Sequence, residues 1–546
     1  MKKKTLSLLL LSAIGLSPMT SFSQKSTAPV DAIIANSSTA VVQTGSGKVR
    51  GYIHKGTFTY KGIPYAESER FMPPSKPKPW SDVRSSMTYG PVCPMDATTS
   101  VNDVIEFAFN HNWGYTNENC QSLNVWTSGI NDNKKRPVMV WLHGGGFTAG
   151  SSIELPSYDG ENLSKKGDVV VVSLNHRLNV LGFCDLSAYG EKYKSSANVG
   201  IMDLEAALHW VRDNIANFGG DPNNVTIFGQ SGGGAKVTTL MYAPSAKGLF
   251  HKAIIQSGSY RTSFMEKEDT KRVGAALLEE LGLKPNQVDS LQKISYEKLN
   301  AAGKRAQQKV QAQMKAEGKA FVGFGLSWGP SQDGNYLPYQ QVDPAGLAIS
   351  KDIPLLIGST KNEFMASLIN PAIRSFSMDD AKAFLQKKYG DKTEAYLKAV
   401  EKAYPNTKKP SDLIDIDLTT FRPGAVKQAN MKATADAAPV YMYMFNWQSP
   451  VMDGMYKAIH CIEIPFIFDN IGRCEEMTGG GASAYALSNK MSQAWINFAK
   501  SGNPNHKGLP TWQKYSAENG ATMIFDNQCV QKFHYDKDLL ELSAVK

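Results

Sequence analysis

The 546-residue sequence predicts an α/β protein with a mainly parallel central sheet, and three observations carry that prediction. Short apolar runs of strand length recur along the chain: VMVWL at 138–142, VVVVS at 169–173, VTIF at 225–228, AII at 253–255, PLLIG at 354–358 and VYMYMF at 440–445. Continuous rather than alternating apolarity reads as strands covered on both faces. Longer stretches with helical spacing, 201–218 the clearest, separate several of these runs, and strand–helix alternation is the signature of a parallel sheet. The third observation is local. The run at 225–228 passes directly into Gly229-Gln230-Ser231-Gly232-Gly233-Gly234 and then into a proline-free stretch to 241 that reads as a helix.

A G-x-S-x-G held between a strand and a helix is the nucleophile elbow of the α/β-hydrolase fold. The turn is sharp, so the residues flanking the serine need little side chain and glycine-like backbone angles. It lifts the Ser231 hydroxyl above the sheet edge and turns the following N–H groups toward it. The same pattern recurs at Gly325-Leu326-Ser327-Trp328-Gly329. There Pro330 follows and no strand-then-helix pattern flanks it, so it is not an elbow.

At the start of the chain, Lys2-Lys3-Lys4 precedes an apolar run over 6–16, and Ser21-Phe22-Ser23 supplies small residues before Gln24. This reads as a secretory signal peptide over 1–23; the run is too short for a membrane span. Removal near Ser23-Gln24 leaves an exported chain, periplasmic or secreted. With no cysteine near the cleavage point, no lipid anchor is expected. Loss of the three leader lysines takes the net charge from +9 to about +6, spread among interspersed acids and bases. No basic run marks a nucleic-acid groove. All six cysteines fall in the exported part, where disulfides persist.

Residues 24–40 are a polar lead-in. Alternating runs from 41 to 66 predict an antiparallel meander. Cys93 and Cys120 bracket a loop; a bridge there would stabilise the fold by roughly 3–4 kcal/mol, although two unrelated thiols fit as well. Phe107, Phe109 and Trp113 inside that loop are candidates for a substrate mouth or for simple packing. After the strand at 137–142, His143-Gly144-Gly145-Gly146 supplies backbone N–H groups of the kind that hold a tetrahedral oxyanion. Residues 265–318 and 378–436 are mostly helical, and sheet patterns resume after each. They read as insertions over the active site within one domain spanning 24–546, although length alone would suggest about three or four domains.

A serine hydroxyl needs a base to remove its proton, histidine suits that role, and a carboxylate on the far ring nitrogen fixes its tautomer. In this fold the three follow the chain order serine, acid, histidine. Ser231, Glu363 and His460 keep that order, each after a predicted strand.

The chain also resembles the type-B carboxylesterase/lipase family, which includes bacterial p-nitrobenzyl esterases and animal cholinesterases. The matching segments include YKGIPYA, NENCQSLNVW, VWLHGGGF, NVTIFGQSGGG, AKGLFHKAIIQSGS, IGSTKNEF, KAIHCIEIPFIF and AWINFAKSGNPN, in family order and over nearly the whole mature chain. The resemblance implies a Ser231–Glu363–His460 triad and an oxyanion hole from Gly145, Gly146 and Gly232. It implies support of the acid and the histidine by Ser257 and Glu463, and a Cys93–Cys120 disulfide. It implies ester hydrolysis with no metal or organic cofactor. Three departures stand out. Gln230 occupies a place where many relatives carry Glu, which weakens any expectation of cationic substrates. Gly232 replaces the usual Ala, and Asn362-Glu363-Phe364 replaces a common Asp-Glu-Gly. Cys461 is a candidate partner for Cys474; Cys184 and Cys529 have no assignment. Phe321, Phe324 and Trp328 are candidates for an acyl or alcohol pocket. The leading expectation is a hydrolase of small to medium, mostly neutral esters. The rivals are a lipase or amidase, or a non-catalytic neuroligin-like binding protein on the same fold. The oligomeric state stays open.

Overall fold

Eleven strands form the large sheet of the computed structural model, which describes residues 32–96, 102–261, 263–319, 325–407, 409–418, 420–434 and 436–544. The expected signal peptide over 1–23, Phe321 and Phe324 lie outside those residues. In chain order the strands are β1 (Tyr52–His54), β2 (Thr57–Pro64), β3 (Ser122–Thr127), β4 (Arg136–Leu142), β5 (Val170–Leu174), β6 (Gly220–Gln230), β7 (Lys252–Gln256), β8 (Leu355–Thr360), β9 (Val440–Phe445), β10 (Ala521–Phe525) and β11 (Val530–Phe533). Their spatial order is β11-β10-β9-β8-β7-β6-β4-β5-β3-β2-β1. The strands from β10 across to β5 run parallel, and antiparallel pairs close both ends.

Side-chain alternation splits each central strand between two cores. Val138, Val140, Ile227 and Ile255 enter one, with the helices α1 (Val199–Asn214) and α2 (Gly232–Met241). Met139, Trp141, Phe228 and Ile254 enter the other, against the long helix α3 (Ala482–Ser501). This two-sided burial is why the strands lack polar alternation, and every residue of β3, β8 and β9 is buried. Among the described residues no helix is long and apolar enough to cross a membrane.

The opening meander divides. Val41–Thr44 and Gly47–Arg50 form a hairpin in a separate three-stranded sheet with Arg84–Ser85, and only β1 and β2 join the large sheet. Gly51 sits at the break, where an added Cβ would fall on the Thr59 carbonyl. The two inserted regions are helical, with Lys267–Glu280 and Tyr296–Ala316 in the first, and Met378–Tyr389, Thr393–Ala403 and Phe421–Lys432 in the second.

Candidate active site

Ser231 stands between the end of β6 and the start of α2 with φ 57° and ψ −124°, a region that non-glycine residues avoid. Its neighbours hold it there. The Ser231 N–H donates to Gln256 O at 2.8 Å. A Cβ at Gly229 would lie 2.6 Å from Leu142 O, and one at Gly233 would strike that same carbonyl. Glycine at both positions lets α2 begin hard against the end of β4.

A cavity of about 940 Å3 opens above this turn, and Ser231, Glu363 and His460 all contribute to its wall. Glu363 follows β8 and is fully buried. Its Oε1 accepts hydrogen bonds from Ser257 Oγ at 2.6 Å and from the Thr360 N–H at 2.9 Å, and its Oε2 meets Nδ1 of His460. The His460 N–H donates to Glu363 O at 3.0 Å, which fixes the two backbones relative to each other. Phe364 and Phe421 pack on the imidazole, with ring centroids 4.7 and 5.0 Å away. Burial opposes the imidazolium form of His460, while contact with Cys461 and Glu363 favours it and raises the pKa. Burial also keeps the Cys461 thiol protonated.

The glycine loop faces the serine. Gly145 and Gly146 adopt φ of 77° and 62°, conformations that disfavour any side chain. Gly232 abuts Gly146 so closely that an added Cβ would overlap the Gly146 backbone. Glycine at 232 thus lets the loop and the elbow lie closer together than a side chain there would allow.

Gln230 lies 3.3 and 3.4 Å, through Nε2, from the two ring nitrogens of His460. An in-plane approach at those distances would collide with Cε1, so the amide lies over the ring face. Gln230 Oε1 accepts from Cys461 Sγ at 3.1 Å. Cys461 is therefore a wall residue bound to Gln230, and Cys474, its candidate partner, is a buried thiol of the second core. Cys93 and Cys120 are neighbouring buried thiols in hydrogen-bond contact, and Cys184 and Cys529 are also thiols. Glu463 is fully buried; Gln256 faces it without a close hydrogen bond, and burial followed by the Glu363 charge lifts its pKa to about 7.

Phe109 and Trp328 line the cavity. Phe107 and Trp113 are about half exposed instead, Trp113 stacking on His111. Ser327, from the rejected motif, also reaches the wall, where it accepts from Arg261. Sequence reasoning missed the cations Arg261 and Arg374 in the wall and the buried Lys236 behind the loop. The signal for Lys236 was available: it is the lone charge in an otherwise uncharged helix.

The family model for the carboxylesterase family matches residues 38–541. The para-nitrobenzyl esterase of Bacillus subtilis is 36% identical over 494 residues, covering 89% of this chain and 95% of that protein. The phenmedipham hydrolase of Pseudarthrobacter oxydans is 31% identical, with the same coverage. Among solved structures, an esterase from Clostridium hathewayi that can hydrolyse aliphatic aromatic polyesters superposes with a TM-score of 0.82 at 38% identity, covering 94% of this chain and 99% of that one. With its α/β-hydrolase sheet and the site above it, the chain belongs to the carboxylesterase family.

Proposed function

We propose that this protein is an exported serine carboxylesterase that hydrolyses small to medium, mostly neutral esters through an acyl-Ser231 intermediate. The observation that carries the reading is the Glu363–His460 pair and the Gly145-Gly146 loop meeting at one cavity with Ser231. With Nδ1 committed to Glu363, Nε2 of His460 is the nitrogen left to serve the serine. Ser231 Oγ attacks the ester carbonyl carbon as its proton passes to that nitrogen. The N–H groups of Gly145, Gly146 and Gly232 receive the oxyanion, each contributing on the order of 3 kcal/mol to lowering the barrier. The C–O bond to the alcohol breaks as His460 returns the proton to the leaving oxygen. Water repeats the sequence on the acyl-enzyme and releases the acid. Gln230 in place of a carboxylate, with Arg261 and Arg374 in the wall, argues against cationic esters.

The test is an acyl-chain-length series of p-nitrophenyl esters, run with the purified protein and with Ser231→Ala. The expected result is hydrolysis that collapses by at least about 10^4-fold in the variant. Equal rates in two folded proteins would refute the assignment. Export is checked by fractionation and by N-terminal sequencing of the mature chain, which should start near Gln24.

A further inference from the structure

Behind the glycine loop lies a buried amine that the mechanism above does not use. Lys236 stands five residues after Ser231 on α2, with a fully buried side chain. Its Nζ donates to His143 O at 2.9 Å and to Gly144 O at 3.4 Å, the two carbonyls just before Gly145. The surrounding rings are neutral: burial, and then the charge of Lys236, holds the His143 and His176 pKa values well below 6.5. A buried amine is costly unless its donors are used, and here they go to main-chain carbonyls.

We propose that Lys236 is a positioning residue that aims the oxyanion-hole N–H groups. The assignment rests on the serine-esterase reading of Ser231 and the glycine loop. In a trans peptide the C=O and N–H point to opposite sides of the unit. Gly144 O and the Gly145 N–H belong to one such unit, so drawing the oxygen back onto Lys236 turns the N–H forward. His143 Nδ1 approaches the same oxygen at 3.0 Å. The next unit is anchored in the same way: Gly145 O accepts from the N–H groups of Thr148 and Ala149 at 3.3 and 3.0 Å. Both donor peptides are thus tied at the back, away from the substrate. Gly144, Gly145 and Gly146 have no side chains to hold the loop, and without a tether their peptides have wide rotational freedom. Chained hydrogen bonds also polarise one another, which makes a tethered N–H a better donor. Burial brings the Lys236 pKa from 10.5 to about 7, yet amine and ammonium both retain the hydrogens the two bonds need.

The experiment compares Lys236→Met, Lys236→Gln and Lys236→Ser with the parent in the full mature protein. Each variant that folds is assayed with p-nitrophenyl butyrate and with a trifluoromethyl ketone, which forms a tetrahedral adduct on the serine. Product butyrate serves as a ground-state ligand. The expected loss is about 10- to 100-fold in kcat, below the effect of deleting a hole donor outright. KM and butyrate affinity should hold within about twofold, with the ketone weakened by the same factor as kcat/KM. Lys236→Gln, which keeps a donor, should recover part of the loss. Unchanged kcat in every folded variant, or a rate loss with ketone affinity intact, overturns the proposal. Activity surviving in Ser231→Ala would instead overturn the esterase mechanism on which it rests.

Discussion

Replacing Glu463 by glutamine should flatten the pH dependence of stability. Glu463 is fully buried beside the Glu363–His460 pair, with both carboxyl oxygens lacking a close hydrogen-bond partner among the described residues. Burial, and then the Glu363 charge, raises its pKa from 4.5 to about 7. A carboxyl whose folded-state pKa is raised binds its proton more tightly in the native chain than in the unfolded one. Its stabilising contribution is full below about pH 4.5 and falls as pH rises, vanishing above about pH 7. Over the whole window the shift is worth about 3 kcal/mol, and between pH 5.5 and pH 8 about 2 kcal/mol. Glutamine keeps the shape and removes the titration. Urea unfolding at those two pH values should show the parent losing about 2 kcal/mol more than Glu463→Gln. In thermal scans the same difference is roughly 2 °C for a chain of this size. Parallel pH profiles for the two proteins would show that Glu463 does not carry this proton.

Other expectations follow from the same geometry. Gly232→Ala places a methyl group on the Gly146 backbone. It should push the loop away and lower kcat about tenfold or more with a smaller change in KM, as steady-state kinetics would show. Gln230→Glu sets a negative charge over the His460 ring and stabilises the imidazolium. The acidic limb of the kcat/KM profile should then move to higher pH by roughly one unit. Cys93 and Cys120 are placed to close a bridge in an oxidising compartment. Alkylation of the denatured, unreduced protein should leave both unlabelled, and prior reduction should expose both.

Much of the candidate site was legible in the sequence because its parts are written in local signals. The strand run before Gly229, the glycines around Ser231 and the glycines after β4 each reflect one short stretch of backbone. Strand boundaries needed only small revision: β6 extends back to Gly220, and α2 begins at Gly232 rather than at 235. Contacts between distant segments were not legible. The Cys461 thiol meets Gln230 across 231 positions, and nothing in HCIE distinguishes that from a pairing with Cys474. Lys236 reaches back 93 positions to the His143 carbonyl, and the lead-in meander divides between two sheets at Gly51.

The sequence by itself determined the elements, the strained serine turn and the residue types that ester hydrolysis requires, because backbone preference and two-sided burial act over a few neighbouring positions. Tertiary structure decided which side chains became partners. Strand order in the sheet brings the ends of β4, β6, β7 and β8 together, and only that convergence sets Glu363 on Ser257, Gln230 over His460, and Lys236 behind the glycine loop.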